Sequence, residues 1–266
     1  MRVDANGVGI AYEVTGEGPP VVLLHGFPDS GRVWRHQVPA LAQAGFQVIV
    51  PDLRGYGASD KPPAVEAYRR ELLVGDVLAV MSAAGVERAH IVGHDWGASI
   101  AWALALTAEE RVDHLVALSV GHPAAFFSAG FAQYQKSWYM LLFQFPGIAE
   151  KWLSANLRSW THHPDAETVM DELETNGSLT PGLNYYRANI PPESFLRSRR
   201  ALPPVRPPTM GVWSTGDRFL TEAQMTGSGD HVAGPWRYER LEGVGHWMQL
   251  EAPDEVNGLL IDFLPT

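Results

Sequence analysis

Asp95, Asp217 and His246 follow one another along the chain, each just beyond a short apolar run, and each is a residue type that can attack carbon or move a proton. Asp95 lies in Gly93-His94-Asp95-Trp96-Gly97, directly after Ile91-Val92 and directly before the Ala-rich stretch Ala98 to Leu106. A reactive residue flanked by glycines, set between a strand and a helix, sits on a sharp turn that lifts its side chain above the sheet. A Cβ at either glycine would collide with the neighbouring strand or helix. Serine is the expected occupant of the central position; here it is aspartate. Backbone N–H groups and the dipole at a helix N-terminus favour an ionised carboxylate, so Asp95 is expected to be charged and nucleophilic. An aspartate at that place is also a common helix N-cap, and the motif alone does not separate the two roles.

Its company does. Ser214-Thr215-Gly216-Asp217 follows the run Met210 to Trp213, and Gly243-Val244-Gly245-His246-Trp247 follows Tyr238 to Leu241. Nucleophile, acid, histidine is a recurring order on parallel sheets, with each residue placed where a strand gives way to a loop. In that arrangement His246 is the general base, and Asp217 accepts its other ring proton and fixes the tautomer. Upstream, His25-Gly26-Phe27-Pro28 follows Val21 to Leu24. The loop after that strand and the residue after the nucleophile each supply a backbone N–H to an oxyanion hole, which here are Phe27 and Trp96. His25 is expected to brace the loop and His94 to pack beneath the turn. No metal is expected, because the histidine spacings match no ligand signature.

The elements that must hold these residues can be read from the apolar runs. Asn6-Gly7 between short alternating runs predicts an opening hairpin. The runs Val21–Leu24, Val48–Val50, His90–Val92, Leu115–Leu118, Met210–Trp213 and Tyr238–Leu241 read as buried strands. All but the last pair are separated by helix-like segments, including Asp76 to Met81. After His122-Pro123 the pattern changes, and to about Leu202 the chain is rich in Phe, Trp, Tyr and Leu at helical spacing. It closes with the stiff, Pro-rich connector Leu202 to Pro208. The expected organisation is a core of residues 1–122 and 203–266, with a helical lid of residues 123–202 inserted between strands of one sheet.

The chain has 266 residues and a net charge of −10. Its nearest approach to a basic run is Arg69-Arg70 and Arg197-Ser198-Arg199-Arg200, too little for a phosphate-backbone face, so no nucleic acid is expected. Cysteine is absent, which excludes disulfides, thiolate ligands and a cysteine nucleophile. No apolar segment approaches the roughly 20 residues of a membrane helix. The stretch Met1 to Asn6 lacks a signal-peptide core, so a cytoplasmic location away from membranes is expected. Asn176-Gly177-Ser178 reads as a turn. Neither Gly55-Tyr56-Gly57 nor Gly227-Ser228-Gly229 has the third glycine that a dinucleotide needs, and no cofactor is expected. No Gly-x-Ser-x-Gly occurs, which argues against a serine esterase.

Three segments together, His25 to Pro28, Asp52-Leu53-Arg54-Gly55-Tyr56-Gly57-Ala58-Ser59 and Gly93 to Gly97, resemble those of the α/β-hydrolase-fold epoxide hydrolases. The related haloalkane and fluoroacetate dehalogenases share much of the pattern. With Asp217 and His246 the resemblance runs from about Val21 to about Glu251. It implies an α/β fold with a mostly parallel central sheet flanked by helices, and a covalent Asp95 ester hydrolysed by water. The segments Ser137 to Gly147 and Gly182 to Arg187 look like those that carry the paired lid tyrosines of epoxide hydrolases, which places these roles on Tyr139 and Tyr186. Neutral phenols suit a leaving alkoxide, which needs a proton or a strong hydrogen bond.

Halide would need only anion-stabilising donors. Trp96 is common to both classes, whereas Phe27 replaces an asparagine used by many haloalkane dehalogenases. Trp96 and Ser99 occupy the region where fluoroacetate dehalogenases place arginines. Epoxide hydrolysis is favoured. A haloalkane dehalogenase and a non-catalytic binding protein on the same scaffold are the alternatives. Phe27, Trp96, Trp138, Phe143, Tyr185 and Trp247 are expected to line an aromatic pocket. The expected partners are a small hydrophobic epoxide and water, with a homodimer compatible with the sequence.

Overall fold

The β-branched and leucine-rich runs pair into one eight-stranded sheet in the order β1-β2-β4-β3-β5-β6-β7-β8. Its strands are β1 Arg2–Asp4, β2 Gly9–Thr15, β3 Pro20–Leu24, β4 Gln47–Pro51, β5 Ala89–His94, β6 Val112–Leu118, β7 Thr209–Ser214 and β8 Trp236–Leu241. The computed structural model describes residues 1–195 and 201–266, and the Arg197–Arg200 stretch lies outside them. The opening hairpin turns at Asn6 and Gly7, both with positive φ (55° and 84°), as a two-residue turn of matching twist requires. It pairs β1 with β2, and β2 with β4, antiparallel. All further pairings are parallel.

Helices join the parallel strands: α1 Gln37–Gln43, α2 Arg70–Ala83 and α3 Trp96–Thr107. Between β6 and β7 come α4 Pro123–Ser128, α5 Phe131–Lys136, α6 Tyr139–Leu142, α7 Ile148–Thr161, α8 Ala166–Thr175 and α9 Leu179–Asn189. The chain ends with α10 Glu222–Thr226, α11 Met248–Glu251 and α12 Pro253–Phe263. No strand interrupts the helical block among its described residues. One expectation is corrected: the last two strands are also separated by a helix, the short α10, and they pair in parallel. The polar sequence between them, Thr215 to Pro235, hides that helix from a periodicity search.

Every residue of β5 is buried, and so are four of the five in β3. Burying each Val, Leu or Ile there contributes roughly 1.5–3 kcal/mol relative to exposure. α3 packs on these strands through Ile100, Ala101, Trp102 and Leu104. Because β3, β5, β7 and β8 run the same way, the loops at their C-terminal ends open on one edge of the sheet, where α/β proteins bind ligands.

Candidate active site

The sharpest turn of that edge is at Asp95, the residue between β5 and α3. Its backbone has φ 53° and ψ −119°, a region L-residues seldom occupy and keep only where surrounding structure enforces it. The enforcement is close packing. A Cβ on Gly97 would lie 2.0 Å from the Leu24 carbonyl oxygen, and one on Gly26 would lie 2.4 Å from Asp95 Oδ1 and 2.7 Å from the Trp96 nitrogen. The two glycines let the helix N-terminus, the carboxylate and the loop after β3 meet.

In that crevice the Phe27 N–H donates to Asp95 Oδ1 at 2.8 Å. The other oxygen, Oδ2, faces His246 Nε2 at 3.7 Å. His246 follows β8, and its Nδ1 lies 2.9 Å from Asp217 Oδ2. Asp217 follows β7, and its Oδ1 accepts the N–H groups of Phe219 and Leu220 at 2.8 and 2.9 Å. Burial would lower the basicity of His246, but Asp217 and Asp95 overcome it and hold the imidazole up at about 10. For Asp217, burial acts upward, and His246 together with the two amides brings its carboxyl below the usual range. The imidazole is thus held as a cation between two carboxylates.

His94 Nε2 meets the His246 carbonyl oxygen at 2.9 Å, and burial pushes the His94 ring down to about 4. It lies under the turn and stays neutral. His25 accepts the Leu53 N–H at 2.9 Å through Nε2 and so ties the loop after β3 to the loop after β4.

Tyr139 and Tyr186 come from α6 and α9, far apart in sequence, yet their ring centroids are 6.0 Å apart. The Trp96 ring meets Tyr186 edge to face, with centroids 5.1 Å apart. Burial, aided by the charge on Asp95, raises both phenols well above their ordinary value. They remain neutral donors. With Asp95 they border two adjoining cavities. The larger lies among residues such as Phe126, Met140, Ile190 and Leu220. The smaller lies beside His246, Phe219, Trp160 and Trp247.

Not every residue expected to line a pocket does so. Phe27 and Trp247 line the smaller cavity and Trp96 the larger. Trp138 points the other way: it is 48% exposed and packs against Trp152 and Trp160. Tyr185 is fully buried, donates to the Arg54 carbonyl oxygen at 2.7 Å and packs on Tyr56 and Tyr68. Phe143 is buried behind the tyrosines, against Tyr139 and Tyr186. The reason is helical geometry: neighbouring residues diverge by about 100°, so Trp138 and Tyr185 turn away where Tyr139 and Tyr186 turn in.

Two residues near the site carried no usable sequence signal. Asp29 Oδ2 accepts the Trp247 indole N–H at 2.9 Å, and its Oδ1 meets His163 Nε2 from the helical block at 3.1 Å. Burial acts upward on Asp29, yet His163 draws its carboxyl below the ordinary range. The proximity of Asp29 to His25-Gly26-Phe27-Pro28 hints at a role, but nothing in the sequence pairs it with a residue 134 positions away.

A family profile described as alpha/beta hydrolase fold matches residues 19–253. Epoxide hydrolase A of Mycobacterium tuberculosis is 34% identical, with 98% of this chain and 96% of that protein covered. Epoxide hydrolase 3 of Xenopus tropicalis is 32% identical over 99% of this chain and 77% of its own length. Among solved structures, an epoxide hydrolase mutant from Bacillus megaterium superposes with a TM-score of 0.90 at 30% identity, covering 99% of both chains. Epoxide hydrolase A from Mycobacterium thermoresistibile gives 0.84 at 32% identity, over 99% of this chain and 97% of that one.

Proposed function

The chain belongs to the α/β-hydrolase fold family and, within it, to the epoxide hydrolases, and from that premise we propose that it opens epoxides to vicinal diols through an ester on Asp95. The single observation that carries this reading is that Asp95, whose Oδ2 lies 3.7 Å from His246 Nε2, lines the same cavities as Tyr139 and Tyr186. The epoxide oxygen binds Tyr139 and Tyr186, and Oδ2 attacks a ring carbon. The C–O bond breaks, and a phenol supplies the proton that the leaving alkoxide needs.

Ester formation removes the charge on Asp95, one of the two that keep His246 protonated. The imidazole then yields its proton, by way of solvent, to the phenolate and becomes a base. His246 next takes a proton from water, and the hydroxide adds to the ester carbonyl carbon. Negative charge gathers on Oδ1, held by the N–H of Phe27 and, in this reading, that of Trp96. Collapse expels the diol alkoxide, which takes the proton left by water. The cycle closes with Asp95 ionised, His246 protonated and both phenols intact.

Residues 123–202 act as the lid and residues 1–122 with 203–266 as the core. Lys136 Nζ to the Asp217 carbonyl oxygen at 2.5 Å and Gln133 Nε2 to that of Phe219 at 2.9 Å support this division, since both join the helical block to the acid loop. A halide-binding reading is disfavoured because Phe27 stands where a second halide donor would be needed. The purified protein should convert styrene oxide to its diol and release no bromide from a bromoalkane, and Asp95→Asn should form no ester with either. Bromide without diol would overturn the proposal.

A further inference from the structure

The outer side of the helical block carries large apolar residues for which the chemistry at Asp95 has no use. Phe131, Tyr134, Trp138, Leu141, Phe145 and Ile148 follow one another at alternating steps of three and four, the spacing of one helical face. Helical hydrogen bonds run on from α5 through α6 and past it. The Ser137 N–H reaches the Gln133 carbonyl oxygen at 2.9 Å, Leu141 that of Trp138 at 3.1 Å and Phe145 that of Leu142 at 3.1 Å. Ile148 opens α7 one turn before Trp152, against which Trp138 packs, so it borders the same face. The opposite side, with Gln133, Ser137, Tyr139, Met140 and Phe143, is buried.

Single apolar side chains on a surface need no explanation, but a cluster does. Six of the ten large apolar residues exposed among the described residues stand in this row. Leaving Tyr134 aside, they are 47–73% exposed, which puts roughly 500 Å² of apolar side chain in water. Two such faces laid together bury about 1,000 Å², the threshold of a biological interface, before a polar rim is added. Trp138 is held at its root by Trp152 and Trp160, so covering it costs little side-chain freedom.

Charge selects what covers the face. A net charge of −10 makes copies of the chain repel one another over most approaches. From residue 123 to 149 the only charged residue is Lys136, and its Nζ turns inward to the Asp217 carbonyl oxygen at 2.5 Å. The face can therefore meet its own copy without opposing like charges. A lipid surface would instead call for a rim of exposed cations. Arg158 is tied to Glu167, which leaves Lys151 beside Ile148. We propose that two copies of the chain associate through this face, the row of one seated on the row of the other about a two-fold axis. A second copy there braces α6, whose other side carries Tyr139 and Met140 to the larger cavity.

Sedimentation velocity of the full chain at micromolar concentration tests this without any turnover. The wild type should sediment as a dimer. Leu141→Glu and, separately, Leu141→Lys set like charges against each other and should weaken association at least 100-fold. Mixed in equal amounts, the two variants should associate again, because opposite charges then meet across the axis. Association that stays lost in the mixture, with both variants folded by circular dichroism, overturns the face-to-face arrangement. A wild type that stays monomeric, or a dimer untouched by both Leu141→Glu and Ile148→Glu, overturns the proposal outright. Vesicles of phosphatidylcholine and phosphatidylglycerol form the last arm: a monomeric wild type that sediments with them gives the face to lipid and refutes the second copy.

Discussion

At Asp95 a single charge has two consequences. In the proposed mechanism it makes the carboxylate a nucleophile, and it helps hold His246 protonated at about 10 against the effect of burial. Neutralising it mimics the electrostatics of the ester. In Asp95→Asn the midpoint of the His246 imidazole, followed by NMR, should fall by roughly 1–3 pH units, the size of shift one nearby opposite charge produces. A midpoint that stays near 10 would show that Asp217 alone sets it and would remove the switch from the mechanism. Asp95, Asp217 and His246 were legible in the sequence because each sits in a short motif after a strand. Tyr139 and Tyr186 became legible only with the resemblance to a family. Trp138 and Tyr185, their immediate neighbours, were misplaced because composition does not reveal which way a helix is turned.

At the scale of elements, the site depends on loops that must not move relative to one another. The buried pair Arg54 and Asp76 joins the loop after β4 to α2, with Arg54 Nε 2.5 Å from Asp76 Oδ2. Arg54 also donates to the Ala67 carbonyl oxygen at 2.6 Å and accepts Tyr185 of α9 through its own carbonyl. Burial pushes the Asp76 carboxyl up even beside its partner, which marks how poorly that place tolerates a lone charge. Arg54→Met should therefore cost about 3–5 kcal/mol in urea unfolding, with Arg54→Met/Asp76→Leu recovering most of it. A loss below about 1 kcal/mol in the single variant would place the pair among weak surface bridges instead. The Asp52 to Ser59 segment flagged this region, but the pairing of Arg54 with Asp76 needed α2 to be docked on the sheet.

At the scale of the molecule, the buried ionised groups set a pH window for stability. His246 is raised, so its contribution is fully present below its ordinary value near 6.5 and is lost as pH climbs to about 10. Asp217 and Asp29 are lowered, so theirs is present above the ordinary carboxylate range and is lost in acid. The net charge of −10 adds self-repulsion as pH rises. The melting temperature should therefore fall more steeply between pH 7 and 10 in the wild type than in His246→Gln. Parallel slopes would show that the imidazole does not govern the alkaline limb.

The sequence by itself determined the sheet, the positions of Asp95, Asp217 and His246 at its strand ends, and a helical block between β6 and β7. Those features follow from local patterns: apolar runs, glycines beside a reactive residue and a Pro-rich connector. Tertiary structure decided what no local pattern encodes. It brought Asp29 to His163, and turned Tyr186 in and Tyr185 away. Each of these depends on how segments distant in sequence pack, and on which polar groups that packing leaves dry.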